Sequence, residues 1–456
     1  VRVYLMLPLV ALLSACSTPP SLQPPAPDIQ DSWQAEADIG SASPGWLNTL
    51  QDPALEGLVE EAMNNNPGLA AARQSLIAAR QQWLATGADA YPQLSLELGA
   101  RRQENTDRAD SLSLNLSWTP DIWGEMDART QQAAFTYAAA EAALEEQREE
   151  LVADVSRTWF EIQEARLLLE LYTRRHDTLE QSLDIIESGY RQGLNEALDL
   201  YLARNNVNSE AARLEQQRQI LSELQRELEQ TLGRYPAAEL SSSGSLPLLD
   251  SDVPAGMPAD VLRRRPDLQQ AWLRLLAGDA ALAAAHRDRF PSLTLSAAEG
   301  GSSDALSDLL RTGNLAWSLG ASLAQTLFDA GRKEAVQAQA LANRAEQEQL
   351  WLEAVYAALT EVENALSERR SLHNRYQLYL KAEQNALNAE ALAFEQYRNG
   401  LESFTTVLEA QRRSLDAQTN VINLRLQLLH NRIELYRALG GRFSADTTAE
   451  PEPDTP

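Results

Sequence analysis

Tyr190-Arg191-Gln192-Gly193-Leu194 recurs 207 residues later as Tyr397-Arg398-Asn399-Gly400-Leu401. Working outward, Gly124 lies 69 residues before Gly193, and Gly331 lies 69 before Gly400. Gly233 and Gly440, each closing a Leu-Gly pair, keep the offset of 207. Upstream, Pro67 and Pro92 are 25 apart, as are Pro266 and Pro291, at an offset of 199. The second half therefore holds eight more residues between Pro291 and Gly331. An internal duplication of about 200 residues organises the chain, each copy being one supersecondary unit.

Within each copy the chain has helical character. No proline falls between Pro120 and Pro236, or between Pro291 and Pro451. Met126 to Ser188 has neither glycine nor proline over 63 residues, roughly 95 Å if helical. Arg332 to Asn399 is a second such run. Val152, Val155, Trp159, Ile162, Ala165, Leu169 and Tyr172 recur at spacings of three and four, a coiled-coil type of seam. Glu196 to Thr231 and Thr405 to Ala438 are shorter helical runs. Each long and short pair predicts a helical hairpin turning at Gly193 or Gly400, where glycine admits a positive φ.

Between Pro92 and Gly124 the period drops from 3.6 to 2. Leu94, Leu96 and Leu98 alternate with Ser95 and Glu97; Leu112, Leu114, Leu116 and Trp118 alternate with Ser113, Asn115 and Ser117. The second copy has Leu293 and Leu295 among Ser292, Thr294 and Ser296, then Leu315, Trp317 and Leu319 among Ala316, Ser318 and Gly320. These are four strands in two hairpins, the first with a polar turn from Arg101 to Asp110. The extra residues of the second copy fall most simply near Gly300 to Gly313. Tyr91, Trp118, Trp123, Phe290 and Phe328 mark strand ends, where aromatic residues sit at a membrane interface. Such strands could instead pack on a soluble core, but no helix period is aligned to cover them. Four strands cannot close a membrane barrel alone, because such barrels start at about eight. Open edges are not viable in lipid. A membrane barrel here must be assembled from several chains.

The N-terminus reads as an address. Arg2 precedes an apolar run from Val3 to Leu13, too short to span a bilayer as a helix and the size of a signal-peptide core. The run ends Leu13-Ser14-Ala15-Cys16, and Cys16 is the only cysteine. An intramolecular disulfide is excluded. The stretch resembles a bacterial lipobox, cleaved before a lipid-bearing Cys16, and Ser17 fits outer-membrane delivery. A Pro/Ser-rich tether follows to about Pro44, and an acidic tail runs from Ser444 to Pro456. The formal net charge of −26 argues against a nucleic-acid partner, which needs basic patches. His176, His286, His373 and His430 are scattered, and no metalloprotease, hydrolase or phosphate-loop motif is present. The chain is therefore not read as an enzyme, and no cofactor or metal is expected beyond a covalent lipid on Cys16.

The chain resembles the outer-membrane factors of tripartite efflux pumps, the TolC-like and OprM-like ducts, in their lipoprotein branch. The matching stretches begin with Trp46 to Asp52-Pro53-Ala54-Leu55, and with Asn66-Pro67-Gly68-Leu69 leading to Tyr91-Pro92. They continue with Arg264-Arg265-Pro266-Asp267-Leu268, Phe290-Pro291-Ser292-Leu293, Phe328-Asp329-Ala330-Gly331-Arg332 and Glu409-Ala410-Gln411-Arg412. The resemblance implies a mainly α protein with a small β part. Long helical hairpins would form a periplasmic barrel, and four strands per chain would join a trimeric, twelve-stranded transmembrane β-barrel.

This divides the chain into a signal peptide over 1–15, a lipidated tether over 16–45, repeats over 46–240 and 241–443, and an acidic tail over 444–456. Within the repeats lie strand hairpins at 92–119 and 291–327 and helical hairpins at 125–232 and 332–440. The segment from Gly233 to Asp260 would join an equatorial belt.

The implied function is a passive exit duct in the outer membrane. Its partners would be outer-membrane lipid, a periplasmic adaptor and an inner-membrane pump. Gly193, Leu194, Gly400 and Leu401 stand at the family's adaptor-docking tips. Thr405 and Glu409 stand where the family narrows its pore with apolar and Asp side chains. Asp199 is assigned to the same region, and the apolar seal moves toward Phe404 or Leu408. A lipid-anchored periplasmic adaptor and a structural coiled-coil protein are the alternatives. Two hairpins, each preceded by a strand pair, argue against an adaptor.

Overall fold

The computed structural model describes residues 26–35, 45–102, 109–240, 246–249, 253–303 and 315–443. Cys16, the signal segment, much of the tether and the acidic tail lie outside them. Eight α-helices and four strands are described. They are α1 (Pro53–Asn65), α2 (Pro67–Ala88), β1 (Gln93–Arg101), β2 (Ala109–Trp118), α3 (Glu125–Arg191) and α4 (Ala197–Thr231). Then follow α5 (Pro258–Arg264), α6 (Pro266–Arg287), β3 (Ser292–Ser303), β4 (Leu315–Ala324), α7 (Arg332–Arg398) and α8 (Phe404–Ala438). The long helices α3 and α7 have 67 residues each, and α4 and α8 have 35 each. The chain divides into two compact units.

The first unit covers 26–28, 73–144 and 266–355 among the described residues and holds the sheet. Its strand order is β1-β2-β3-β4, antiparallel throughout. The two hairpins are thus joined through β2 and β3 into one sheet with β1 and β4 at its edges. β1 runs through Arg101 and β2 begins at Ala109, so the strands use both ends of the polar turn. β3 likewise continues to Ser303, through part of the stretch assigned to the extra residues.

The register sorts the faces. Leu96 pairs with Leu114, Leu114 with Glu299, and Glu299 with Trp317. Directly paired residues share a face, so one face carries Leu94, Leu96, Leu98, Leu112, Leu114 and Leu116. The other carries Ser95, Glu97, Ser113, Asn115, Thr294 and Ser318. Every residue of β1 and β4 is exposed in the single chain. Leu96 is 69 % exposed and Trp317 76 %. No helix among the described residues is long and apolar enough to cross a membrane.

Among the described residues the second unit covers 29–72, 145–265 and 356–443, and its core uses the repeat twice over. Four helices begin at a proline, Pro53, Pro67, Pro258 and Pro266. There the missing N–H costs nothing and the fixed φ is already helical. Asp52 caps α1, its Oδ1 accepting from Ala54 N (3.0 Å) and Leu55 N (3.2 Å). Its Oδ2 accepts from Trp159 Nε1 at 2.7 Å and Gln163 Nε2 at 3.1 Å. One carboxylate therefore ties the start of the first repeat to α3. Asn66 Nδ2 donates to Thr231 O at 2.8 Å, and Arg265 Nη1 donates to Ala438 O at 3.3 Å. The residue before each repeated proline thus satisfies the last carbonyl of its own repeat's shorter helix.

Four helix ends share one cap. After α3, Gly193 N donates to Tyr190 O and Leu194 N to Gly189 O; after α7, Gly400 N donates to Tyr397 O and Leu401 N to Gln396 O. The same pair of bonds closes α4 at Gly233 and α8 at Gly440. This is the Schellman pattern, which places a left-handed residue just past the helix. The four glycines have φ between 67 and 74°. Beyond Gly233, the Glu229 carboxylate accepts from the backbone N–H groups of Ala238, Glu239 and Leu240 at 2.7 to 3.2 Å. The tether is held as well. Trp33 Nε1 donates to Gly256 O at 3.0 Å, and Gln34 N and Ala35 N donate to the Glu363 carboxylate at 2.7 and 3.0 Å.

The four capping glycines differ in their surroundings. A Cβ on Gly193 meets nothing within 4 Å, whereas one on Gly440 sits 2.9 Å from the Arg264 carbonyl carbon. Gly193→Ala should cost about 1 kcal/mol, the left-handed backbone alone. Gly440→Ala should cost more, about 2 kcal/mol or above, because backbone must move. Denaturant unfolding in detergent measures both, and equal losses would refute the close-approach reading.

Candidate functional site

The ends of α3, α4, α7 and α8 meet in one apolar cluster of Ile186, Leu200, Ala203, Ala393, Phe404 and Val407. Leu183, Tyr397 and Leu408 pack against it. Phe404 is 3 % exposed, and its ring lies 5.3 Å from that of Tyr397. The seal residue expected at Phe404 is therefore a core residue of the hairpin ends. The helix phase explains this: Phe404, Val407 and Gln411 share the buried face of α8.

Outside that cluster stand the two turns. Leu194 is 76 % exposed and Leu401 73 %, each beside a left-handed glycine. Each turn thus holds an exposed leucine directly after a capped helix end. Ser403 caps α8 by accepting from Thr406 N at 3.4 Å. Thr405 is exposed, with its hydroxyl 2.7 Å from that of Ser403. Thr405 is thus part of the cap's hydroxyl cluster.

Glu409 is surrounded by positive charge. Arg412 Nη2 lies 2.9 Å and Arg413 Nε 2.7 Å from its Oε1, and Arg412 also reaches Asp416 at 3.1 Å. The hydrogen bonds from Arg412 and Arg413 hold the Glu409 carboxyl down at about 2. The group of Glu409, Arg412, Arg413 and Asp416 is balanced in charge. Asp199, on α4, lies beside the Tyr397 hydroxyl of α7. Burial pushes its carboxyl up and Glu196 adds to the shift, while the Tyr397 hydroxyl opposes it. Asp199 therefore belongs to the contact between the hairpins. The arginine partners were legible as spacings of three and four from Glu409.

The strand-end aromatics fall into two groups. Tyr91 and Phe328 are exposed. Trp118 Nε1 donates to Ala90 O at 3.0 Å, and Trp123 Nε1 to Pro291 O at 2.7 Å. Trp123 stacks on Phe290, with centroids 5.2 Å apart. Arg287 Nη1 donates to Gly124 O at 2.6 Å across the same junction. Sequence reading left Trp317 out of the set, although its alternation placed it on the apolar face.

The family model described as outer membrane efflux protein matches residues 58–234 and 257–441. The chain belongs to that family. It is 31 % identical to outer membrane protein OprJ of Pseudomonas aeruginosa, covering 95 % of this chain and 94 % of that one. It is 28 % identical to the probable outer membrane lipoprotein SilC of Salmonella typhimurium, over 95 % of this chain and 97 % of the relative. Among solved structures, the outer-membrane channel OprN superposes with a TM-score of 0.84 at 25 % identity, over 94 % of this chain and 100 % of that one. The protein is an outer-membrane efflux channel, mainly helical with four antiparallel strands.

The charge balance around Glu409 changes what its removal should do. Glu409→Gln leaves Arg412 and Arg413 with less compensation, so selectivity should shift toward anions. A carboxyl held at about 2 keeps its charge above that pH, and the ion pairs are lost only as pH falls through it. Wild-type selectivity should then show no Glu409 titration between pH 4 and 7. Reversal potentials in planar bilayers measure both; an unchanged value in Glu409→Gln would remove this face from the conduit.

Proposed function

We propose that the chain is the exit duct of a tripartite efflux system, acting as a homotrimer whose four-stranded sheets close one twelve-stranded barrel. The observation that carries this is the sheet itself. Among the described residues both edge strands pair on one side only, and the leucines of β1 and β4 are exposed. Unpaired edges cannot stand in lipid, and an apolar face of this kind marks a contact with membrane or protein. Copies of the same sheet satisfy both requirements by joining β4 of one to β1 of the next. Ser, Thr and Asn on the opposite face would line the water-filled side.

The remaining assignments follow the family plan. Cys16 carries the lipid, a reading supported by the lipoprotein name of SilC. Gly193, Leu194, Gly400 and Leu401 dock the periplasmic adaptor, which connects to an inner-membrane pump. Tyr91, Trp118, Trp123, Phe290 and Phe328 sit at the membrane interface. The chain itself contributes passage and supplies no energy source.

The protein in detergent should have the mass of about three chains and conduct ions in a planar bilayer. A folded, stable monomer would sink the shared barrel. Cys16→Ala should abolish labelling by a radioactive fatty acid; equal labelling would reject that anchor. The double change Gly193→Asp with Gly400→Asp puts charge into both left-handed turns. Efflux and adaptor cross-linking should fall while outer-membrane location persists, and normal cross-linking would show that docking lies elsewhere.

A further inference from the structure

The strand register gives the polar face of the sheet a charge of its own. Glu97 of β1 pairs with Ser113 of β2, Ser113 with Gly300 of β3, and Gly300 with Ala316 of β4. Directly paired residues share a face, so Glu97 stands on the side away from the leucines. Among the described strand residues that face carries two ionisable side chains, Glu97 and, at the end of β1, Arg101. The other positions on it are Ser, Thr, Asn, Gln, Gly or Ala. Four residues separate Glu97 from Arg101, about 13 Å along the strand.

The Glu97 side chain is open to solvent, as is all of β1. Its nearest polar neighbours bond elsewhere. The Asn115 amide donates to Ser113 Oγ at 3.1 Å, and the Ser111 hydroxyl donates to Gly99 O at 3.5 Å. The carboxylate is thus held by the strand but hydrated, the state in which a wall charge acts on passing ions.

The next step rests on the twelve-stranded trimer proposed above. Twelve strands about 4.8 Å apart and tilted about 40° close a cylinder of about 12 Å radius at the Cα atoms. Threefold symmetry puts three copies of Glu97 at one level of the inner wall, directed toward the axis. The Debye length is about 10 Å in 0.1 M salt and about 3 Å in 1 M. In dilute salt the ring therefore acts across most of the conduit, and in concentrated salt only beside the wall. The ring of Arg101 lies more than a dilute-salt Debye length away along the strand, so it does not cancel the charge.

We propose that Glu97 is the charge-selecting residue of the strand-lined conduit, a ring of three carboxylates that favours passage of cations over anions. Glu299 supplies the internal comparison. It pairs with Leu114 and Trp317 on the leucine face, so the sheet stands between its carboxylate and the lumen.

The test is the reversal potential of the full-length protein in planar bilayers, with about 0.1 M KCl on the strand side and tenfold more on the other. Wild type should prefer K⁺. Glu97→Gln should lower the K⁺ to Cl⁻ permeability ratio at least twofold, and Glu97→Lys should turn it toward Cl⁻. Glu299→Gln should leave it unchanged. Repeating the measurement with about 1 M KCl on the strand side should erase the differences. Glu97→Gln is isosteric at an exposed position, so it reads the charge even where Glu97→Lys lowers the yield of channels. The proposal is overturned if wild type and Glu97→Gln conduct with the same reversal potential in dilute salt. It is equally overturned if Glu299→Gln shifts the potential as far as Glu97→Gln. Wild-type protein that forms no channel would instead overturn the duct on which the inference rests.

Discussion

At Gly233 and Gly440 the chain passes so close to another segment that no side chain fits between them. A Cβ on Gly233 would lie 2.5 Å from Asn65 O, and one on Gly440 2.9 Å from Arg265 N. In each repeat the end of the shorter hairpin helix is thereby pressed against the residues that precede an X-Pro helix start. Asn66 and Arg265 complete the contact by donating to the last carbonyls of α4 and α8.

The same logic accounts for the caps. An α-helix leaves its last carbonyls without partners, and four of these helices end by the same two bonds. The conformation requires a positive φ, so the glycines recur at the repeat spacing. Their exposure then separates their roles. Gly193 and Gly400 have open space around them, whereas Gly233 and Gly440 have none. One pair turns the chain in the open, and the other joins it to its neighbour.

The sheet obeys a different constraint. Among the described residues of one chain, its two edges are unpaired and the leucines on one face of its edge strands are exposed, so the environment must complete them. Glu299 stands on that face, opposite Leu114 and Trp317. Alternation placed only the first few residues of β3, so this carboxylate's place became visible only with the register. At the helix ends the correction runs the other way. Phe404 is apolar and close to the turn, yet its helical phase directs it inward against Tyr397.

The sequence by itself determined the duplication, the helical hairpins, the four strands and the positive-φ turns. These follow from local rules: glycine and proline placement, a period of 3.6 or 2, and the reach of an unbroken helix. It also carried the resemblance that assigned the channel class. Only the tertiary structure joined the two strand hairpins into one sheet, because pairing of β2 with β3 spans most of a repeat. Only the tertiary structure showed the tether residue Trp33 bonded to Gly256 and the following backbone bonded to Glu363. It alone decided which apolar residue beside the turn is core, because that depends on which face of α8 the other helices cover. Local periodicity specifies the faces an element has; the contacts that cover them come from residues distant along the chain.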